Sequence, residues 1–197
     1  MEITFSNPKH TQIWAKAVEL LTGIGKKDYV LHCKMVTRAM QDILKGEGGD
    51  ENIMIPAAML HDIGLSKIPK EQWFPKTKEE KDEYERLHIE LAGDVIPLIL
   101  SPIGYSADEI KAILYIAQSH KSKDPHGDAR VACMVDADNL SDTYQESFFS
   151  DVKSYGNDPM QTYEFRSQNK FFTKTANEVF QKELADRLSD IQSGLAG

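Results

Sequence analysis

Apolar residues recur at intervals of three and four through almost the whole chain, and the alternating β-branched runs that build strands are nearly absent. This pattern excludes a sheet-based fold and predicts an all-α protein, a bundle of amphipathic helices. A first predicted helix runs from about Thr11 to Leu21, with Ile13, Trp14, Ala17, Val18, Leu20 and Leu21 on one broad face and Gly23 and Gly25 ending it. A second runs from about Tyr29 to Leu44 and is closed by Gly46, Gly48 and Gly49, with Asp50 placed to cap the next. That third segment, about Glu51 to Ile63, is apolar on more than one face, as a helix in the middle of a bundle must be.

Pro69 and Pro75 mark a loop, after which the charged run from Lys76 to Arg86 leads into the apolar stretch from Leu87 to Leu100. The charges have salt-bridge spacing and read as a solvated helix face. Ser106 and Glu109 have the spacing of a capping box and open a helix through Ala117. A polar loop from Lys121 to Asp128 precedes a helix holding Val131 to Leu140, and two more amphipathic helices are predicted from about Pro159 onward.

Repeats, low-complexity tracts and linker-like stretches are absent, so residues 1–197 are expected to form one domain, with a core at about 29–142 and packing helices at about 159–192. At 41% hydrophobic and 27% charged, the chain can build a core without disulfides. Cys33 and Cys133 belong to no paired or zinc-binding spacing and are expected to be reduced. A net charge of −8 disfavours partnership with polymeric nucleic acid or an anionic membrane. No apolar stretch is long enough to span a bilayer, and residues 1–9 carry no signal core, so a cytoplasmic protein is expected.

Four of the six histidines, His32, His61, His88 and His120, each fall within or at the end of a different predicted apolar helix. Singly, such a histidine is more often a hydrogen-bonded core residue than a ligand. Together with Asp62, which follows His61 directly, and with Asp136 and Asp138 in another apolar helix, they place several carboxylates in the interior without cations. A divalent metal held by imidazole and carboxylate would resolve this, and a helical bundle is a usual setting for such a site.

The order His32, then His61-Asp62 within MLHDIG, then the distal aspartate of VDADNLSD resembles the HD-domain superfamily of metal-dependent phosphohydrolases. His88 in LHIELAGDVI and His120 in IAQSHKS fall where the dinuclear subgroup of that superfamily has its additional histidines. The resemblance spans about Tyr29 to Asp142, and FFTKTANEVFQKELADRLSDI looks like the closing helices of small stand-alone members. It implies His32, His61, Asp62 and Asp138 as the basic ligand set, with Asp136 in a supporting role, and His88 and His120 completing a second metal site. Two divalent ions are expected, drawn from Fe, Mn, Co, Ni, Zn or Mg.

The implied reaction is hydrolysis of a small phosphorylated metabolite, nucleotide or dinucleoside polyphosphate by metal-activated water, with Asp62, Lys67, His88 and His120 carrying catalysis. Lys67, Lys121 and Lys123 are the basic residues expected to reach the phosphate, with Arg86 and Arg166 after them. Leu65-Ser66-Lys67 stands where many relatives have a lysine directly after HDIG, which leaves the phosphate clamp open. His10 and His126 match nothing in the pattern, and His126 is expected to be a loop residue. The same ligand set also serves mixed-valent di-iron oxygenases of the inositol oxygenase type, and a ligand-binding module without turnover is a third reading. Monomer and homodimer are both compatible with the surplus of apolar helix faces.

Overall fold

A computed structural model describes residues 3–125 and 127–194. The described residues form nine α-helices and no strand: α1 (Pro8–Leu21), α2 (Tyr29–Glu47), α3 (Glu51–Leu60), α4 (Lys78–Leu100), α5 (Ala107–Gln118), α6 (Ala129–Ser141), α7 (Gln145–Tyr155), α8 (Pro159–Arg166) and α9 (Lys174–Gln192). The expected all-α class is what the chain adopts. None of these helices is long and apolar enough to cross a membrane. His126 lies outside the described residues.

Polar residues set the helix starts. Asn7, Asp28, Asp50, Thr77, Ser106, Asp128, Asp158 and Thr173 each accept a hydrogen bond from a backbone N–H of the first turn that has no partner within the helix. Thr77–Glu80 and Ser106–Glu109 close reciprocal capping boxes, the second as the sequence predicts. The charged run is the solvent-facing start of α4, where Arg86 pairs with Glu83 and Glu90.

Helix α3 lies at the centre, buried from Met54 to Leu60 and packed on α1, α2, α5 and α6. It ends at Leu60 rather than running to Ile63. The Ala58 carbonyl accepts from the His61 ring, and the Leu65 N–H reaches back only three residues to Asp62, so the chain tightens into a 3₁₀ helix over Ile63–Lys67. Gly64 makes this possible. A Cβ there would overlap the His88 carbonyl and stand 2.7 Å from the Ala92 nitrogen, so glycine lets the 3₁₀ helix lie directly on the backbone of α4.

Helix α7, which the periodicity does not announce, packs on α2 and α8 and buries Phe148 and Asp151. Both cysteines are buried and free.

Candidate metal centre

The local folding just described brings six side chains from five segments into one buried cluster. His32 comes from the first turn of α2, whose start is fixed by Asp28, and His61 and Asp62 come from the tightened end of α3. His88 projects from α4, His120 follows the end of α5, and Asp138 lies on α6. All six are at most 6% exposed.

Their donor atoms form two groups that share Asp62. In the first, His32 Nε2 stands 3.3 Å from His61 Nε2, 3.2 Å from Asp138 Oδ1 and 3.5 Å from Asp62 Oδ2, and His61 Nε2 is 3.4 Å from the same Asp62 oxygen. In the second, His88 Nε2 and His120 Nε2 are 3.1 Å apart and stand 3.5 and 3.7 Å from Asp62 Oδ1. Ligand atoms about 2.1 Å from a shared ion stand roughly 3.0–3.4 Å apart at right-angled or tetrahedral geometry, close to the spacings in both groups. His32, His61 and Asp138, and separately Asp62, His88 and His120, could each hold an ion.

The hydrogen bonds on the far side of the rings supply a stricter test of fit. His61, His88 and His120 direct Nδ1 at the carbonyls of Ala58, Tyr84 and Ala117, at 2.9, 3.3 and 2.7 Å. A carbonyl can only accept, so Nδ1 carries the proton and each Nε2 offers a lone pair to the centre. His32 Nδ1 faces the Ser141 hydroxyl at 3.4 Å, whose own proton goes to the Asp138 carbonyl. Lone pairs opposed at 3.1 Å, as on His88 and His120, repel unless a cation lies between them. The residues present therefore fit a divalent metal pair.

The protonation pattern agrees. Burial pushes the His32 imidazole down to about 4 and that of His120 down to about 3, which keeps both neutral as ligands require. Burial works against charging Asp62 as well, yet the facing His61 and His32 rings hold its carboxyl well below the usual range. His61 is the exception in the metal-free protein: burial opposes its charging, but Asp62 raises its affinity for a proton well above that of a free imidazole, so a proton occupies Nε2 where a metal would otherwise bind. One proton on His61 thus partly neutralises the carboxylates, a task that metal cations perform fully.

Lys121 donates to Asp138 Oδ2 at 2.8 Å and leaves Oδ1 facing the first group. Partial desolvation favours the neutral amine of this half-exposed side chain, but Asp138 and Asp62 together raise its pKa, so it stays charged. The cluster opens into a polar chamber of about 230 Å³ that Lys27, Lys121, Tyr29, Tyr84, Glu85 and Tyr155 help to line.

Other sequence expectations are corrected. Lys67 and Lys123 are exposed and do not line the chamber, because the 3₁₀ helix buries Ile63, Gly64 and Leu65 and turns Lys67 outward. Arg166 is no phosphate ligand: it is buried and pairs with Asp142 and Asp151 at 2.8 and 2.7 Å. Asp136 supports no ligand of the cluster. It accepts from the backbone N–H of Phe172 and from both the N–H and hydroxyl of Thr173, anchoring the start of α9. Sequence reasoning missed Lys27 and Asp142, although Asp142 follows Asp138 by one helical turn and so shares its face.

The family model for the HD domain matches residues 29–143, more than half of the chain. The protein belongs to the HD-domain family, a group whose members commonly are hydrolases and bind divalent metals. No curated protein and no solved structure matched the chain significantly.

Proposed function

We propose that this protein is a metal-dependent phosphohydrolase acting on a small phosphate ester, nucleotide or dinucleoside polyphosphate, with His32, His61, Asp62 and Asp138 holding one ion and Asp62, His88 and His120 the other. The observation that carries this reading is the division of the Asp62 carboxylate, one oxygen to each group of histidines. When bound, such a metal pair supplies Lewis acidity toward phosphate oxygens and a hydrolytic water acidic enough to react near neutral pH.

The chain's own residues provide the rest. Two aspartates in the cluster leave a bound pair of divalent ions with excess positive charge, and at the chamber wall Lys27 and Lys121 balance Glu85 and Asp142. That field suits a phosphoryl group, which keeps its negative charge throughout transfer. Burial raises the pKa of the Tyr29 and Tyr84 phenols, so they remain protonated donors at the chamber rim, able to bond phosphate oxygens. A chamber of about 230 Å³ has room for a phosphoryl group and several waters, each of which takes about 30 Å³ in the liquid.

The test is phosphate release from a panel of phosphorylated metabolites by protein reloaded with Mn, Co, Fe or Mg, alongside Asp62→Ala. The expected result is turnover of at least one ester by the parent protein and a loss of about 1,000-fold or more in the variant, as removal of a group central to charge stabilisation brings. Oxygen uptake by iron-loaded protein without phosphate release would overturn the proposal in favour of an oxygenase. Saturable binding without turnover would leave a ligand-binding module.

A further inference from the structure

The chamber above the cluster continues outward into a second cavity of about 450 Å³, and Lys27, Tyr29, Tyr84, Glu85 and Tyr155 line both. The two differ in chemistry. Metal-ligand residues and charged groups dominate the inner chamber, whereas Trp73, Phe74, Tyr29, Tyr84 and Tyr155 put five aromatic rings into the wall of the outer one. The Trp73 indole is held in place by its Nε1–H donating to the Ile68 carbonyl at 2.9 Å. Phe74 and Tyr155, by contrast, leave 53% and 52% of their surface exposed. Aromatic residues this open beside a reactive centre are ready to receive a planar group.

Charge separates the outer cavity from the molecule as a whole. The chain carries −8, yet Lys26, Lys27, Lys76 and Lys81 face this cavity against the single carboxylate of Glu85. A local positive field on an acidic protein draws anions toward this entrance. Part of the wall, Gly25 to Lys27 and Tyr155, lies outside the residues matched by the family model.

We infer that the outer cavity receives the alcohol portion of the substrate, and that this portion carries a planar aromatic or heteroaromatic ring which packs against Trp73, Phe74 and Tyr155 while its phosphate enters the metal chamber. The inference rests on the hydrolase reading and narrows it: esters of ring-bearing alcohols are preferred over esters of sugars and polyols that lack such a ring. The rim lysines guide the anion in, and the aromatic residues hold the ring.

Adenosine 5′-monophosphate and ribose 5-phosphate test this cleanly, because both release the same 5′-oxygen and differ in the ring. With metal-loaded protein, kcat/KM for the nucleotide is expected to exceed that for the sugar phosphate by about tenfold or more, the order of one ring-stacking contact. Phe74→Ala, a change at an exposed position, is expected to lower the nucleotide value by about tenfold and to leave the sugar phosphate within about twofold. Equal kcat/KM for the two esters, or an equal loss for both in Phe74→Ala, would overturn the inference. Equilibrium dialysis of the same two compounds separates it from the hydrolase reading. Preferential retention of the nucleotide without phosphate release from either would sustain the ring site and overturn the hydrolase, whereas equal or absent retention would overturn the ring site itself.

Discussion

Asp62 divides its carboxylate between two histidine pairs because His61 and Asp62 straddle the point where α3 tightens into a 3₁₀ helix. The cluster makes the protein acid-sensitive, with a sign that follows from the individual groups. His32 and His120 have depressed affinities for protons in the folded state, so between about pH 6.5 and 4 the unfolded chain binds protons that the folded one refuses. Stability present at pH 7 is therefore lost as the pH falls through that window, by at most about 1.4 kcal/mol per pH unit for each group. His61, whose affinity is raised, is protonated in both states there and adds no slope, while the depressed Asp62 and Asp138 extend the loss below about pH 4. Melting temperatures of metal-free protein at pH 7, 5.5 and 4.5 should fall in that order; a flat series would contradict the buried neutral histidines. Lys121→Met should lower phosphate release by about 10- to 100-fold with little change in melting temperature, because Asp138 loses the partner that orients it. At this scale the sequence pattern placed His32, His61, Asp62, His88, His120 and Asp138 in buried helical positions, since apolar neighbours announce burial. It misassigned Lys67, because a 3.6-residue period gives no sign that the chain tightens at Ile63 and turns the lysine out.

The elements that matter most are those that touch through backbone. Gly64 presses the 3₁₀ helix onto α4 between His88 and Ala92, which brings His88 within reach of Asp62. Gly64→Ala should therefore cost about 1–3 kcal/mol in urea unfolding and, by displacing α4, lower metal content by one ion per chain while the His32–His61–Asp138 group keeps its own. Retention of two ions would show that α4 can yield without moving His88. Helices α7 and α8 meet the cluster through Arg166, which joins Asp151 to Asp142, and Asp142 Oδ1 lies 3.8 Å from His32 Nδ1. Arg166→Leu would leave the buried Asp151 without its cation and take one of two cationic partners from Asp142, and is expected to destabilise the fold by about 3–5 kcal/mol, read by the same unfolding measurement. Periodicity made α2 and α6 legible, and periodicity with a capping box made α5 so. Helix α7 was not, because its sequence, QESFFSDVKSY, interrupts the apolar face with serine, aspartate and lysine and its start at Tyr144 has no side-chain cap. Asp151 contributes to that face only as the partner of Arg166, and a pairing across 15 residues leaves no periodic trace.

At the scale of the whole molecule, an acidic protein gathers four of its six histidines and two aspartates around one point and sets lysines at the entrance. The central helix α3 fixes that point, and the surrounding helices each lend it at most one or two groups, so metal bound there would be coupled to folding. Metal at about 100 times its dissociation constant should stabilise the protein by about 2.7 kcal/mol, and a chelator should return the melting temperature to that of metal-free protein. In the proposed centre one carboxylate, that of Asp62, unites two metal sites. Elemental analysis of metal per chain, on protein purified without chelator or metal-affinity resin, tests it most directly when Asp62→Ala and His120→Gln are measured beside the parent. About two ions are expected in the parent, about one in His120→Gln and close to none in Asp62→Ala. A single ion in the parent that survives in His120→Gln, or two that survive in Asp62→Ala, would contradict it.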